Sequence, residues 1–286
     1  MKSVVTVVLS VCLALALAWA TGQAGQVVAN WPVMVWLVLL AFAVQWLVFF
    51  HSWREQTDRF FDATGSATYI LGTMLALLLV DHLSPRGWLL AAMVILWAGR
   101  LGTFLFLRTR RSGGDSRFAE ILPNPPRLFS VWTIQGLWVS ATALAAWTGI
   151  TAAADAPLGW LTWLGCGVWA IGWGLELVAD AQKSRFRRDP ANKGEFIRSG
   201  VWSWSRHPNY FGEIVLWTGV LLVSIPVLQG WQWLAVISPL FVTLLLTRVS
   251  GIPLLEKQAD QRWGGCSDYQ EYKARTSVLF PLPPRR

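Results

Sequence analysis

One short stretch of the chain is dense in side chains that can hold or move a proton. Residues 206–213 read Arg-His-Pro-Asn-Tyr-Phe-Gly-Glu and lead directly into an apolar segment. Pro208 suits the first turn of a helix, so Glu213 is predicted about one turn inside it. A carboxylate at that depth in a membrane is costly unless it faces a partner or a wet cavity. Glu213 is therefore a candidate site residue, whereas His207 could also be an ordinary interfacial side chain.

A second polar stretch precedes the first and combines acids with many cations. Glu176 and Asp180 stand four residues apart at the end of an apolar segment, so they share one face of a helix. Basic residues dominate 183–198, with Asp189 and Asn192 among them. A positive-inside anchor that binds anionic lipid would explain the cations but not the acids. Acids that hold ribose hydroxyls and arginines that hold phosphates explain both, which favours an anionic cofactor.

Other nucleotide and metal signatures are missing from the sequence. Cys12, Cys166 and Cys266 show no metal-ligand spacing, so no metal site is expected. Gly165, Gly167 and Gly172 lie within an apolar segment and lack the Rossmann spacing. Close packing of helices through small residues is the better interpretation of these glycines. A nucleotide is thus expected in a non-Rossmann site.

The elements that position these residues are predicted from composition. Of 286 residues, 54% are hydrophobic and only 14% are charged, against about 25% charged in soluble domains. Apolar segments of membrane-spanning length separate the charged stretches, which excludes a soluble enzyme, a disordered chain and a disulfide-stapled module. The net charge of +8 resides largely in loops between these segments, so orientation in a membrane explains it and no nucleic acid partner is expected.

The sequence predicts an all-α, polytopic transmembrane helical bundle with seven to eight spans, forming a single integral membrane domain over 1–286. The first segment also resembles a signal peptide, and a retained helix is favoured. Gln229 and Gly230 alone separate the last two segments, which predicts a tight helical hairpin. The apolar segments are 3–20, 31–50, 66–80, 88–107, 128–150, 158–178, 210–228 and 231–249.

Loop charge predicts the orientation of the bundle. Arginines crowd the fourth loop, 108–127, and basic residues crowd the sixth, whereas the fifth loop, 151–157, carries none. The positive-inside rule then places both termini in the cytoplasm, in a membrane that is expected to be a bacterial inner membrane. The fourth loop, with a turn at 112–115, is either a topogenic loop or a lid over a cytoplasmic pocket.

The C-terminal half resembles the steroid 5α-reductase family and its bacterial homologues over roughly residues 176–281. The resemblance rests on Gly200 and Trp202 with the 206–213 run, on the Asp180 to Arg187 segment, and on Asp-Tyr-x-x-Tyr-Lys-x-Arg-Thr-Ser at 268–277. Sterol C14 and C7 reductases share the Arg-His-Pro-Asn-Tyr style of motif. Isoprenylcysteine carboxyl methyltransferases carry a similar run, so the motif specifies a superfamily and not a reaction.

The resemblance implies that NADPH enters from the cytoplasmic side and is bound by the C-terminal half. On this basis 1–127 would contribute the substrate pocket and 128–286 the NADPH-binding helices and loops. The expected cofactor-binding residues are Asp180, Lys183, Arg187, Asn192, Arg198, His207, Asn209, Tyr210, Glu213, Lys273 and Arg275.

The reaction implied is reduction of the C=C bond of a lipophilic conjugated enone of the 3-oxo-Δ4-steroid type. In the family an acid and a tyrosine from the N-terminal half polarise the carbonyl, because charge develops on its oxygen. Asp62, kept protonated in an apolar pocket, is the first choice for the acid, and Tyr69 for the second donor. Glu213 is a third catalytic candidate. Expected substrate contacts are Trp53, Trp97 and Trp217, although Trp97 stands where a tyrosine is expected.

Two other functions compete with this one. An S-adenosylmethionine-dependent methyltransferase of the isoprenylcysteine or phospholipid type would not need so many cations in 183–198. A non-enzymatic lipid-binding or scaffold protein leaves Arg100, Glu176 and Glu213 unexplained within the bilayer. Membrane lipids and a lipophilic substrate are the expected partners, with no obligate protein partner.

Overall fold

The structure, a computed structural model, describes residues 2–112 and 118–284. Helices joined by turns and loops make up most of these ranges, together with one short antiparallel pair of strands, β1 (Val27–Val28) and β2 (Trp31–Pro32). This confirms the predicted all-α fold. Of the turn predicted at 112–115, Ser112 ends α4, and residues 113–115 lie outside the described residues.

Seven helical segments within the described residues are long and apolar enough to cross a membrane. An eighth crossing is formed if α5 (Pro125–Thr142) and α6 (Leu144–Thr151), which meet at a bend of 54°, count as one span. The predicted seven to eight spans are therefore confirmed, and the chain is an integral membrane protein. The other helices are α1 (Lys2–Gly22), α2 (Val33–Arg54), α3 (Phe61–Leu79), α4 (Pro85–Ser112), α7 (Trp160–Arg188), α8 (Pro208–Ser224), α9 (Ile237–Leu244), α10 (Ile252–Trp263) and α11 (Ser267–Arg275).

The chain divides into two compact units, of which the first comprises Met1–Trp163 and Val220–Ser238. Its core is built around fully buried tryptophans of α4, α5 and α6, namely Trp97, Trp132 and Trp147. Polar pairs between helices satisfy groups that could not be buried alone. The Gln45 amide donates to Thr68 Oγ1 at 2.8 Å, and the Trp147 indole donates to Thr73 Oγ1 at 3.1 Å.

A buried arginine organises one end of this first unit. The Arg86 side chain, near the start of α4, has no solvent exposure. It donates to the Val223 carbonyl at 2.6 Å, to Thr162 Oγ1 at 2.7 Å and to the Pro157 carbonyl at 2.9 Å. A buried guanidinium requires such partners, and it ties residues from three distant parts of the chain together.

The second unit comprises Leu164–Gly219 and Pro239–Arg286. Within it α7 and α8 approach closely through glycines, as predicted for small residues in this segment. A Cβ added to Gly172 would lie 2.5 Å from the Leu216 nitrogen and 2.6 Å from the Gly212 oxygen. Gly167 has open space around its α-carbon, so only Gly172 of that pair serves the contact.

The predicted turn at Gln229 and Gly230 is present, but the helices beside it are not the long α-helices expected for a tight hairpin. Two 3₁₀ helices, Ile225–Val227 and Gly230–Val236, flank the turn. Pro226 lacks a backbone N–H and cannot continue the preceding α-helix. Beyond α9 the chain forms one turn of π-helix, Leu245–Val249, before α10 begins.

Candidate functional site

The most polar cavity described lies entirely within the second unit. It has a volume of about 230 Å³ and lies among the end of α7, the 189–207 loop, α10 and α11. Basic side chains line one part of it, and aromatic rings form much of the remaining wall. The basic residues are Lys183, Arg187, Arg206 and Arg262, and the aromatic residues are Phe186, Phe196, Trp202, Trp263, Tyr269 and Tyr272.

Local sequence explains why α7 delivers cations to this cavity. The last turn of the helix carries Arg185, Arg187 and Arg188, which suit the negative end of a helix dipole. Asp189 then caps a short 3₁₀ helix by accepting a hydrogen bond from the Ala191 N–H at 3.0 Å. The Asn192 amide donates back to the Phe186 carbonyl at 3.0 Å. The loop is thereby folded against the helix end.

A carboxylate of α10 connects three basic side chains next to the cavity. Glu256 accepts from Arg206 through both oxygens, with Nε–Oε1 at 3.2 Å and Nη2–Oε2 at 2.8 Å. The Nε2 atom of His207 lies 2.9 Å from Glu256 Oε1, and Lys273 Nζ lies 3.8 Å from Oε2. The Arg206, His207 and Glu256 side chains are only 10%, 6% and 18% exposed, so these charges meet where water screens them poorly.

Arg206 also fixes the C-terminal segment of the chain. Its Nη1 donates to the Lys273 carbonyl at 2.7 Å and to the Thr276 carbonyl at 3.0 Å. The Arg206 backbone N–H donates to the Ser277 carbonyl at 2.9 Å. Arg206 therefore holds α11 and the following residues against the loop that contains His207.

Burial controls the protonation of the groups in the cavity wall. Desolvation lowers the pKa of His207 below its ordinary value, and the hydrogen bond to Glu256 opposes that effect only in part. Burial together with the Asp260 charge raises the pKa of Tyr269 to about 12. Burial is also the main cause of a raised pKa at Tyr272, whose hydroxyl donates to the Trp202 carbonyl at 2.7 Å. Near neutral pH the imidazole is neutral and both phenols are protonated.

Aromatic rings and cations are paired along the wall of the cavity. The Phe196 ring packs against Tyr269 at 5.2 Å and Tyr272 at 5.4 Å between centroids. Lys183 Nζ lies 4.4 Å above the Trp202 ring, and the Arg262 guanidinium lies 4.8 Å above the Trp263 ring. Such cation–π contacts hold flexible side chains in place. The arrangement offers flat apolar surface beside positive charge.

Some of the residues predicted to bind a cofactor line this cavity, and others contact a residue that lines it. Lys183, Arg187 and His207 line it. Tyr210 stacks on the His207 ring at 5.6 Å with an interplanar angle of 9°. Asp180 is buried, and the Asn209 amide nitrogen lies 3.4 Å from its Oδ1.

Other predicted residues have structural partners elsewhere in the second unit. The Asn192 side-chain amide donates a hydrogen bond to the Phe186 carbonyl. Arg198 forms an ion pair with Asp268 at 2.9 Å, and Arg275 pairs with Glu271 at 2.6 Å. Lys273 donates to Asp260 Oδ1 at 2.6 Å. None of these four is among the residues that line the described cavity.

The catalytic candidates of the N-terminal half lie on α3 in the first unit. Asp62 is in the first turn, and its Oδ2 lies 3.6 Å from Arg108 Nη2 with 27% of the side chain exposed. This pairing favours the carboxylate form, so the surroundings differ from the apolar pocket expected of a protonated acid. Tyr69, two turns later on a similar face, is buried and packs edge-on against Trp97 at 5.1 Å.

The remaining candidates differ in exposure. Trp53 is 44% exposed near the end of α2, and its ring lies parallel to Phe49 at 6.3 Å. Trp217 is buried on α8, one turn after Glu213. A second, strongly apolar crevice of about 630 Å³ opens between α2 and α3 of the first unit. Its lining consists of Leu47, Val48, His51, Phe60, Ala63, Thr64 and Ala67.

The contribution of α10 to the site could not be predicted from residue spacing. Glu256, Asp260, Arg262 and Trp263 all contact residues of the site, yet α10 carries no recognisable motif. The residues of α10 mix charged and apolar types and follow directly after an apolar segment. This pattern predicts a helix at the membrane surface, but it does not predict which residue each charge contacts.

Comparison with known proteins gives a family but no characterised relative. The profile of the family described as "Protein of unknown function (DUF1295)" matches residues 48–276. The chain is 23% identical to an uncharacterized protein of Schizosaccharomyces pombe over 229 residues, covering 69% of this chain and 64% of the relative. The chain thus spans slightly less than two thirds of that relative's length. No solved structure matches.

Proposed function

We propose that this chain, which belongs to the DUF1295 family of proteins of unknown function, is an NADPH-dependent membrane reductase. The family is similar to the steroid 5α-reductases and related to reductase-like membrane enzymes. The proposed reaction is reduction of the C=C bond of a lipophilic conjugated enone. The bilayer supplies the substrate, and the cofactor enters from the cytoplasm of a bacterial cell, where both termini lie.

The observation that carries the proposal is the cavity of the second unit with its cations and aromatic rings. Lys183, Arg187 and Arg262 bring three positive charges to one small volume, which suits the phosphates of a dinucleotide. Flat rings beside them suit an adenine base. A volume of about 230 Å³ lies below the roughly 300–1,000 Å³ of small-molecule pockets, so it would take one part of a dinucleotide.

The residue types present fit NADPH better than a carrier with a single carboxylate. A methyl donor such as S-adenosylmethionine has one carboxylate and a cationic sulfur, which would be repelled by three neighbouring cations. An extra phosphate on the ribose is what distinguishes NADPH from NADH. Arg187 and Arg262 can each offer a planar fork to that phosphate.

The proposed chemistry divides between cofactor and protein. Bound NADPH would supply the hydride that adds to the β-carbon of the enone. The chain would supply a hydrogen-bond donor for the carbonyl oxygen, where negative charge develops. We assign this donor to Tyr69 alone, because the ion pair of Asp62 with Arg108 favours a carboxylate, which accepts hydrogen bonds and cannot donate one.

The test is ligand binding by the purified protein in nanodiscs, followed by turnover. The 20 tryptophans allow binding of NADPH, NADH and S-adenosylmethionine to be followed by quenching of their fluorescence. We expect NADPH to bind most tightly and to be consumed with a Δ4-3-ketosteroid as a model enone. Equal affinities for NADPH and NADH would remove the phosphate assignment. Preference for S-adenosylmethionine would replace the reductase with a methyltransferase.

A further inference from the structure

We propose that Glu256 is a positioning residue that holds His207 as the neutral tautomer with its proton on Nε2. The Nδ1 atom then offers a hydrogen-bond acceptor to a ligand in the cavity. The group of the ligand that meets His207 is therefore a donor, a ribose hydroxyl or a carboxamide, and not a phosphate. The ligand part of this inference rests on the proposed function, whereas the tautomer does not.

The geometry of the Glu256 contact fixes where the imidazole proton resides. The Nε2 atom of His207 lies 2.9 Å from Glu256 Oε1. An ionised carboxylate only accepts hydrogen bonds, so Nε2 must carry the proton to make this contact. The carboxylate is itself held by both arms of the Arg206 fork. It cannot turn away without breaking that pair.

The other ring nitrogen is left for a ligand. Nδ1 has no hydrogen-bond partner among the described residues, while His207 lines the cavity. Its backbone is fixed on both sides, since the His207 N–H donates to Ser205 Oγ at 3.1 Å and its carbonyl accepts from the Phe211 N–H at 3.2 Å. The ring is held in orientation by its stacking on Tyr210.

The charges around His207 support a neutral ring. Arg206 precedes it, and Lys183 of α7 is close enough to disfavour a further positive charge. From the other side Glu256 of α10 favours a positive ring, but this carboxylate is already shared with Arg206 and, at 3.8 Å, with Lys273 of α11. Burial of His207 adds to the cost of charging it.

Neutrality has a consequence for ligand recognition. A neutral Nε2–H imidazole has its only donor engaged by Glu256, so nothing on the ring remains to bind a phosphate oxygen. Arg206 is likewise occupied, since its Nε and both Nη atoms donate to Glu256 and to two carbonyls. Recognition of phosphate is thus left to Lys183, Arg187 and Arg262. Arg206 and His207 line the same cavity as these three residues, but they do not bind phosphate.

The first experiment measures the tautomer directly. The chain has three histidines, so ¹⁵N-histidine labelling gives a simple spectrum, assigned with His51→Gln and His82→Gln variants. At pH 7.5, without any ligand, we expect His207 to show a protonated Nε2 and an unprotonated Nδ1. A proton on Nδ1, or on both nitrogens, would overturn the proposal whether or not the protein binds NADPH.

Variants then test the role of Glu256. In Glu256→Gln the amide can donate to Nε2 as well as accept from it, so we expect a substantial population with the proton on Nδ1. Glu271→Gln is the matched control, because Glu271 is an exposed acid paired with Arg275, and it should leave the tautomer unchanged. If His207 keeps the same tautomer in Glu256→Gln, Glu256 does not determine that tautomer. If that variant does not fold, the wild-type spectrum still decides the tautomer.

The second experiment tests the ligand group through pH. NADPH affinity of the wild type is compared with that of His207→Gln, whose amide oxygen accepts but does not titrate, between pH 8 and pH 5.5. We expect wild-type affinity to fall relative to the variant as the pH drops through the pKa of His207, by about five- to tenfold once the ring is protonated, the value of one net hydrogen bond. A relative gain in acid would mean that His207 meets a phosphate. Absence of NADPH binding at every pH would refute the proposed function and leave the tautomer result standing.

Discussion

The guanidinium of Arg206 and the carboxylate of Glu256 form a two-pronged ion pair between residues 50 positions apart in the chain, with N–O distances of 2.8 Å and 3.2 Å. Both side chains are largely removed from solvent, at 10% and 18% exposure. Arg206 simultaneously binds two carbonyls near the end of α11. One side chain thus connects the loop before α8 with α10 and the C-terminal segment.

The first prediction concerns the stability of this connection. Arg206→Ala leaves a largely buried carboxylate without its main partner, so we expect a loss of about 3 kcal/mol in the free energy of unfolding. Glu256→Ala should cost a similar amount. Unfolding of the protein in mild detergent, followed by tryptophan fluorescence, measures both.

The double variant and a conservative change serve as controls. Because the two side chains interact directly, the loss in Arg206→Ala/Glu256→Ala should be clearly smaller than the sum of the single losses. Arg206→Lys keeps the charge but not the fork, so it should recover only part of the stability. Strict additivity of the two alanine variants would contradict the contact.

The second prediction concerns discrimination between NADPH and NADH. Removal of a charge-assisted hydrogen bond to phosphate in Arg187→Ala or Arg262→Ala should weaken NADPH binding about 10- to 100-fold. NADH binding should change far less. Binding titrations of both nucleotides measure the ratio of the two dissociation constants.

Arg188→Ala is the matched control for Arg187→Ala. The two arginines are adjacent on α7 and both exposed, but only Arg187 lines the cavity. The control loses the same charge and should retain the preference for NADPH. If both variants lose the preference for NADPH equally, that preference depends on the overall positive charge of this region and not on the residues that line the cavity.

The third prediction tests the proposed carbonyl donor. Tyr69→Phe removes one hydroxyl from a buried ring on α3 and retains its edge-on contact with Trp97. If the hydroxyl stabilises charge on the carbonyl oxygen, kcat should fall about 10²- to 10³-fold. The dissociation constant of NADPH should stay the same. A loss of NADPH affinity, or unchanged kcat, would contradict this role.

The fourth prediction concerns the contact between α7 and α8. Gly172→Ala would place a Cβ 2.5 Å from a backbone nitrogen of α8, and backbone atoms cannot move aside as a flexible side chain would. We expect a loss of about 1–3 kcal/mol. Gly174→Ala, on the same helix but with nothing within 4 Å of the added Cβ, should be neutral or slightly stabilising. Thermal unfolding midpoints of the two variants give the comparison.

The fifth prediction is a pH dependence of stability. Burial lowers the pKa of His207 in the folded protein, so the unfolded chain binds the proton more readily, with a pKa of about 6.5. The contribution of the buried neutral ring is therefore complete above that pH and is lost as pH falls through the folded pKa. His207→Gln should lack this component. The measurement is the unfolding midpoint of both proteins from pH 8 to pH 5, and parallel curves would contradict it.

The sequence determined the class of the protein because hydropathy is a local property. A run of about 20 apolar residues must span hydrocarbon as a helix, since its backbone groups have no other partners there. The number of spans and the start of α8 at Pro208 follow from such local signals. Lys183, Arg187 and His207 were expected from the family resemblance, and they do line one cavity.

Only the tertiary structure decided which charges are committed to one another. Arg198 and Arg187 look alike in the sequence, yet Arg198 pairs with Asp268, 70 residues away, while Arg187 lines the cavity. Glu256 has no local signal at all, and its importance comes from Arg206, His207 and Lys273 meeting it in space. Ion pairs between residues so far apart in the chain depend on how the helices pack against one another. The spacing of residue types along the chain does not show that packing.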